Sequence, residues 1–153
     1  MMRIETDQVD ILLVEDNPAD AELTIRALKK NAIVNQIEWL KDGEIALDFL
    51  FNRGEFEGRT GGNPKVVLLD LRLPKVDGLE VLKAIRENPK TEKLPVVILT
   101  SSKEDKDLVA AYDHNVNSFV RKPIAFDEFS QTVAGLGMYW LLVNKVPDSI
   151  HRE

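Results

Sequence analysis

The run that decides the fold is Lys65-Val66-Val67-Leu68-Leu69-Asp70. Its consecutive apolar residues would present side chains to both faces of a sheet, which is typical of a central strand in a parallel sheet. The apolar run stops at a carboxylate, Asp70. It therefore predicts a strand that is buried on both faces and carries a charged group at its carboxyl end.

Similar apolar runs occur before and after this one, and segments of helical periodicity separate them. The predicted strands are residues 9–14, 36–40, 65–70, 95–100 and 118–120. The second of these alternates at period two, which favours a position near the sheet edge. Helices are predicted to begin at Pro18, near Gly43, near Gly78, after Thr100 and after Pro123. The alternation predicts an α/β fold with a single doubly wound parallel sheet and helices on both faces.

The first helix has the clearest start signal. Asp16 or Asn17 can cap free amides, and Pro18 already has a helical φ. An apolar stripe follows at i, i+4, i+7, formed by Ala21, Ile25 and Leu28, and Asp20 in the first turn suits the helix dipole. These features predict a helix that packs on the sheet through its apolar stripe.

The longest stretch without periodicity is residues 52–64, which contain four of the eight glycines. This composition predicts a long exposed loop. Its Gly58-Arg59-Thr60-Gly61-Gly62 segment invites a phosphate-binding interpretation. The segment lacks the Gly-Lys-Ser/Thr ending of a P-loop and precedes a strand, so that interpretation fails.

Composition excludes several function classes. The 153 residues suit one domain, and a 44% hydrophobic share suits a packed core. No Cys and only two His are present, which excludes disulfides, thiol chemistry and His-rich metal sites. Lys and Arg do not accumulate in any segment, so nucleic acid is not an expected partner. No signal peptide and no apolar run of about 20 residues is present, so we expect a cytoplasmic protein without membrane contact.

The net charge of −6 is concentrated at the start of the chain. Residues 1–25 hold seven acids against the single base Arg3, and the remaining residues sum to zero. The acidic excess therefore lies beside the carboxyl end of the first strand.

The predicted strand ends carry the candidate site residues, namely Glu15, Asp16, Asp70, Thr100 and Lys122. Carboxyl ends of parallel strands meet at one edge of the sheet, where such folds place their sites. Clustered carboxylates repel one another unless a cation neutralises them, and Mg²⁺ prefers carboxylate and phosphate oxygens. An Asp carboxylate can also attack phosphorus. The set suits reversible, Mg²⁺-assisted phosphorylation of a carboxylate.

Five segments together resemble the receiver domain of two-component response regulators. They are Ile11-Leu12-Leu13-Val14-Glu15-Asp16-Asn17, Leu68-Leu69-Asp70-Leu71, Leu73-Pro74-Lys75-Val76-Asp77-Gly78, Val97-Ile98-Leu99-Thr100-Ser101 and Phe119-Val120-Arg121-Lys122-Pro123. Each is weak alone, but their order and spacing are specific. The resemblance implies a flavodoxin-like receiver fold with strand order 2-1-3-4-5, a domain over residues 8–145, and tails at 1–7 and 146–153 without an output domain.

The resemblance also assigns roles to single residues. It implies that Asp70 is the phosphoacceptor and that Thr100 and Lys122 contact the phosphoryl group. It assigns the Mg²⁺ ion to carboxylates at positions 15, 16 and 70 and to the backbone carbonyl of Arg72. Thr100 and Phe119 would form the switch that alters the surface of the fourth helix, fifth strand and fifth helix. Phe119 lacks the hydroxyl of a Tyr, and Arg72 is longer than the Asn frequent at its position.

The long loop, the Asp113-His114-Asn115-Val116-Asn117 stretch and the Met138-Tyr139-Trp140 end resemble stand-alone regulators paired with phytochrome histidine kinases. This resemblance implies that the phosphoryl donor is a sensor histidine kinase, with a phytochrome kinase as the candidate. It also implies that a downstream protein or phosphotransfer partner receives the signal. The last predicted helix carries more apolar residues than one packing face needs. That surplus, with the dimerisation common among receiver domains, predicts a homodimer.

Other interpretations of the same residues remain open. Asp16 can be a helix cap, Lys122 a solvated lysine, and Gly78 a requirement of turn geometry. The chain can be a receiver-like interaction module that signals without phosphorylation. A flavin protein is disfavoured because no phosphate-binding loop follows the first strand, and a haloacid-dehalogenase-type phosphatase would need Asp where Arg72 stands.

Overall fold

The computed structural model describes residues 9–30, 36–100, 116, 118–122, 127 and 131. In chain order its elements are β1 (Ile11–Val14), α1 (Pro18–Lys30), β2 (Ile37–Leu40), α2 (Gly43–Leu50), a 3₁₀ turn (Gly54–Phe56), β3 (Val66–Asp70), α3 (Gly78–Glu87), β4 (Val96–Thr100) and β5 (Ser118–Arg121). The helix predicted after Thr100 lies outside the described residues. Of the helix predicted after Pro123, Asp127 and Gln131 are described, and the apolar surplus lies outside them.

All five strands form one parallel sheet in the order β2-β1-β3-β4-β5. The predicted fold class and strand order are therefore confirmed. β3 occupies the middle of the sheet and all five of its residues are buried, as its apolar run predicts. β2 lies at one edge, and three of its four residues are partly exposed.

The core lies on both faces of the sheet because strand side chains alternate. On one face Leu12, Val67 and Leu69 pack with α2 and α3. On the other face Ile11 and Leu68 pack with α1. With both faces covered, the carboxyl edge of the sheet is the surface on which polar side chains can meet.

α1 begins as predicted at Pro18, and Asn17 caps it by accepting a hydrogen bond from the Asp20 amide at 3.0 Å. Its buried stripe is Ala21, Thr24, Ala27 and Leu28. The predicted stripe had the half-buried Ile25 in place of Thr24 and Ala27. With 13 residues α1 is the longest described helix, and no helix in the described ranges has the length and apolar character to cross a membrane.

The prediction that residues 52–64 form an exposed loop is wrong for part of the segment. Phe56 is 3% exposed and meets the Phe49 ring edge-on at 5.1 Å. The Arg59 guanidinium lies 3.9 Å from the centre of the same ring and is 6% exposed. Sparse apolar residues between glycines carry no periodic signal, and for that reason the sequence did not reveal this packing.

Candidate functional site

The strand register brings the predicted site residues to one edge. Val14 pairs with Leu69, so Glu15 and Asp70 follow neighbouring strands at the same level. Thr100 ends β4 and its carbonyl accepts a hydrogen bond from the Lys122 amide at 2.8 Å. The parallel sheet therefore places the ends of β1, β3, β4 and β5 side by side.

The ammonium of Lys122 lies at the centre of the site. Its Nζ is 2.6 Å from Glu15 Oε1, 3.1 Å from Asp70 Oδ2 and 3.0 Å from Asp20 Oδ2. The side chain of Lys122 is 8% exposed, that of Asp70 5% and that of Glu15 0%. Lys122 is thus a buried cation surrounded by carboxylates, and the interpretation as a solvated lysine is wrong.

Burial and charge act on these groups in opposite directions. Burial raises the pKa of Glu15 to about 7, and the negative charge of Asp70 adds to that rise while the Lys122 hydrogen bond opposes it. Burial alone would lower the pKa of Lys122, but its hydrogen bond with Glu15 and the charge of Asp70 raise it above the usual range. The lysine therefore stays charged, and burial holds the pKa of Glu15 well above its ordinary value.

Glu15 is held by its neighbours at the end of β1. The Asn17 amide donates a hydrogen bond to Oε2 at 3.1 Å, and the Glu15 amide donates to the Leu40 carbonyl at 3.0 Å. The indole Nε1 of Trp39 donates to the Glu15 carbonyl at 2.8 Å. Contacts from α1 and β2 thus fix both the backbone and the carboxylate of this residue.

Asp70 is held from the side of α3. Its Oδ1 accepts a hydrogen bond from the Arg72 amide at 3.1 Å. The Gly78 amide donates to the Leu71 carbonyl at 2.9 Å, and a Cβ at position 78 would overlap the Asp70 carbonyl. Gly78 therefore serves the close approach of α3 to the end of β3, in agreement with the prediction of a geometric role.

Glu15, Asp16 and Asp70 form a group in which one carboxylate oxygen from each lies within 4.8 Å of the other two. Asp16 is exposed, whereas the other two are buried. Three carboxylates at this spacing, one of them open to solvent, suit a hard divalent cation such as Mg²⁺ that also keeps waters. Asn17, and not Asp16, caps α1. The Asp16 carboxylate can therefore belong to the group of three carboxylates.

The remaining predicted residues lie around this centre. Thr100 is fully buried at the end of β4, and Phe119 on β5 is partly buried against the core beneath α2 and α3. The backbone of Arg72 lies at the site through its bond to Asp70, while its side chain is largely exposed.

Sequence reasoning missed two residues of the site. Asp20 contacts Lys122, although its first-turn position suggested only a role in the helix dipole. Its spacing to Thr24 and Ala27, at i+4 and i+7, places it on the buried stripe of α1, and that spacing was the available signal. Trp39 left no comparable signal because its contact is to a backbone carbonyl.

Residues 11–134 match the model of the response regulator receiver domain family. The chain is 47% identical over 92% of its length to the probable methanogenesis regulatory protein FilR2 of Methanothrix harundinacea, of which it covers 89%. It is 39% identical over 90% of its length to the response regulator Rcp1 of Synechocystis sp., of which it covers 92%.

Solved structures agree with these matches. The bacteriophytochrome response regulator RtBRR is similar with a TM-score of 0.76 at 47% identity, over 85% of this chain and 78% of that chain. The Mn²⁺-bound form of Rcp1 is similar with a TM-score of 0.76 at 40% identity, over 87% of this chain and 94% of that chain. The predicted resemblance to phytochrome-associated regulators is thereby confirmed.

Proposed function

The chain belongs to the response regulator receiver domain family, and we propose that it accepts a phosphoryl group on Asp70 in a Mg²⁺-dependent reaction. One observation carries the proposal: the Asp70 carboxylate ends the central strand 3.1 Å from a buried ammonium and beside two further carboxylates. An acceptor, a fixed cation and a metal-binding group thus meet at one point. A phosphorylation-independent interaction module would not need this combination.

The proposed transfer is a displacement at phosphorus. An Asp70 carboxylate oxygen forms a bond to the phosphorus of a phosphohistidine, and the P–N bond of the donor breaks. The electron pair of that bond returns to the imidazole of the donor. Lys122, which stays protonated, balances negative charge on the transferred oxygens from its place beside Asp70 Oδ2.

The residues that would hold Mg²⁺ are Glu15, Asp16 and Asp70, together with the backbone carbonyl of Arg72. The spacing of the three carboxylates and the acidity around them fit this ion, and the relative Rcp1 has been solved in a Mn²⁺-bound form. When bound, the ion supplies positive charge that offsets the charge of the phosphoryl oxygens. The same ion would compensate the repulsion between Glu15 and Asp70.

The proposed switch couples the site to β5. Thr100 is buried beside the acceptor strand, and a hydrogen bond from its hydroxyl to the new phosphoryl group would favour one of two arrangements. Phe119 on β5 pairs with Ile98 on β4, two residues before Thr100 on that strand. Its ring would repack when Thr100 changes arrangement. The fourth helix of this predicted surface lies outside the described residues, and of the fifth helix Asp127 and Gln131 are described.

The proposed donor is a sensor histidine kinase. Similarity to RtBRR supports a phytochrome kinase, while FilR2, at the same 47% identity, is a probable methanogenesis regulatory protein. The signal and the downstream protein or phosphotransfer partner are therefore not fixed by similarity. A homodimer remains a prediction because the residues on which it rests lie outside the described part of the chain.

Incubation with acetyl phosphate and Mg²⁺ tests the proposal. We expect the mass to rise by about 80 Da, one phosphoryl group, in the wild type and not in Asp70→Asn. Asp42→Asn is the matched control, since Asp42 is an acid that caps α2 and lies outside the site. Labelling of Asp70→Asn would refute the acceptor assignment, and absence of labelling with intact partner binding would favour the interaction module.

A further inference from the structure

The contact between Asp20 and Lys122 has no part in the function proposed above. Asp20 Oδ2 lies 3.0 Å from Lys122 Nζ, and the Asp20 side chain is 22% exposed. Glu22, two residues further along α1, is 72% exposed and pairs with Arg26 instead. Of these two acids in the first turn and a half of α1, Asp20 reaches the site and Glu22 does not.

The three carboxylates around Lys122 differ in what else they do. An ammonium has three N–H donors, and Lys122 has carboxylate contacts from Glu15, Asp20 and Asp70. Glu15 and Asp70 also belong to the carboxylate group that suits a metal ion. Asp20 is not in that group, so a metal ion bound there would leave the contact between Asp20 and Lys122 in place.

We propose that Asp20 is a positioning residue, whose carboxylate keeps the Lys122 ammonium beside Asp70 when a metal ion competes with that ammonium for Glu15. This inference rests on the proposed function of Asp70 as acceptor. A lysine has a flexible four-carbon stem, and its charge is useful in the transfer only at a fixed place. The Asp20 contact supplies that fixation independently of the occupancy of the metal site.

The backbone of Asp20 is rigid enough for this role. Its amide donates a hydrogen bond to the Asn17 side chain at 3.0 Å, and its carbonyl accepts one from the Thr24 hydroxyl at 2.8 Å. Asn17 caps α1 and Thr24 lies in its second turn, so both bonds hold the Asp20 backbone within this helix. The short side chain of Asp20 extends from this held backbone to Lys122.

The rate of labelling by acetyl phosphate distinguishes positioning from a general effect of charge. Acetyl phosphate is an anion, so removal of any nearby negative charge would by itself speed its approach. If Asp20 positions Lys122, Asp20→Asn and Asp20→Ala instead slow labelling by about three- to tenfold, as expected when one of three charge-assisted contacts is lost. Glu22→Gln is the matched control and should label at the wild-type rate or slightly faster.

A second readout needs neither metal nor phosphoryl donor. In metal-free protein, reductive methylation of Lys122 by formaldehyde and borohydride, followed by peptide mass spectrometry, should be about three- to tenfold faster in Asp20→Ala than in wild type. Lys65, which pairs with Asp10 at 2.9 Å, is the internal reference and should not change. Faster methylation of both lysines would indicate loosening of the whole fold and would count against the proposal.

The two possible failures are separable. If the wild type is not labelled at all, the proposed function fails. If the wild type is labelled and Asp20→Asn and Asp20→Ala match or exceed it, with Lys122 methylation unchanged, the positioning role is refuted and Asp70 remains the acceptor.

Discussion

Lys122 and Arg59 are both buried cations, yet they lie in different surroundings. Lys122 is 8% exposed and contacts carboxylates from β1, α1 and β3. Arg59 is 6% exposed and donates hydrogen bonds to the carbonyls of Phe49 at 3.0 Å and Gly62 at 2.7 Å, with its guanidinium over the Phe49 ring. Lys122 therefore links three separate elements. The contacts of Arg59 link the segment 52–64 to α2, the helix that precedes it.

Under the proposed function, this difference distinguishes Lys122, a functional cation, from Arg59, a structural one. Carboxylates around Lys122 repel one another, and burying them costs free energy unless a cation is present. A site of this kind holds charge ready for a reaction at some expense of stability. The carbonyls and the ring around Arg59 gain from the guanidinium without such repulsion, so we expect Arg59 to stabilise the segment 52–64.

The largest expected effect is that of Lys122→Met. We expect the rate of labelling by acetyl phosphate to fall about 100-fold or more, because a fixed charge beside the acceptor is lost. The variant should remain folded at neutral pH, since Glu15 can take up a proton when its partner is absent. Lys65→Met, which removes a lysine paired with Asp10 before β3, is the control and should be labelled at the wild-type rate.

For Arg59→Met we expect a loss of stability without a change in the rate of labelling. Loss of the hydrogen bonds to Phe49 and Gly62 and of the ring contact should lower the free energy of unfolding by about 2–3 kcal/mol. Urea unfolding measures this change. Labelling of Asp70, measured where both proteins are fully folded, should not differ from wild type. A slower rate in Arg59→Met would mean that the two cations are coupled and would remove the distinction drawn between them.

The sequence predicts most of the site because the ends of the buried strands can be recognised in it. Glu15, Asp70 and Thr100 each follow an uninterrupted apolar run, and parallel strands bring such ends together. Asp20 was not assigned to the site because it lies on a helix, where an acid in the first turn already has an explanation in the helix dipole. A residue with one sufficient local explanation is easily missed in a second role.

The fold, like the site, was predicted well in some parts and missed in others. Helices and strands with clear periodicity agree with the structure to within a few residues, as β3 and α3 show. The burial of Phe56 and Arg59 was missed because single side chains in a glycine-rich segment leave no repeating pattern. Their packing depends on the position of Phe49, which only the tertiary structure defines.

A smaller effect is expected from pH in metal-free protein. Glu15 has a pKa of about 7 in the fold against 4.5 as its ordinary value, so the native state holds its proton more tightly than the unfolded chain. This residue therefore contributes stability below about pH 4.5, and that contribution is lost as the pH rises through about 7. Urea unfolding in EDTA should show the decline in wild type and not in Glu15→Gln.

Mg²⁺ should reverse this pH dependence. A divalent cation binds the ionised carboxylates, so saturating Mg²⁺ should stabilise the protein more at about pH 8 than at about pH 6. The contrary result is a free energy of unfolding that, without metal, rises between about pH 6 and pH 8 equally in the wild type and in Glu15→Gln. That result would show that Glu15 does not hold a proton in the fold.

The smallest expected effect is that of Trp39→Phe, which probes how firmly the lysine site is built into the sheet. The substitution keeps an aromatic ring on β2 but removes the indole N–H that donates to the Glu15 carbonyl at 2.8 Å. We expect the free energy of unfolding to fall by about 1 kcal/mol, the contribution of one neutral hydrogen bond. Because the Asn17 amide and Lys122 still hold the Glu15 carboxylate, Mg²⁺ affinity measured by calorimetry should change by less than about threefold. A larger loss of affinity would mean that the edge strand, in addition to α1, positions Glu15, and the functional cation would then depend on four elements instead of three.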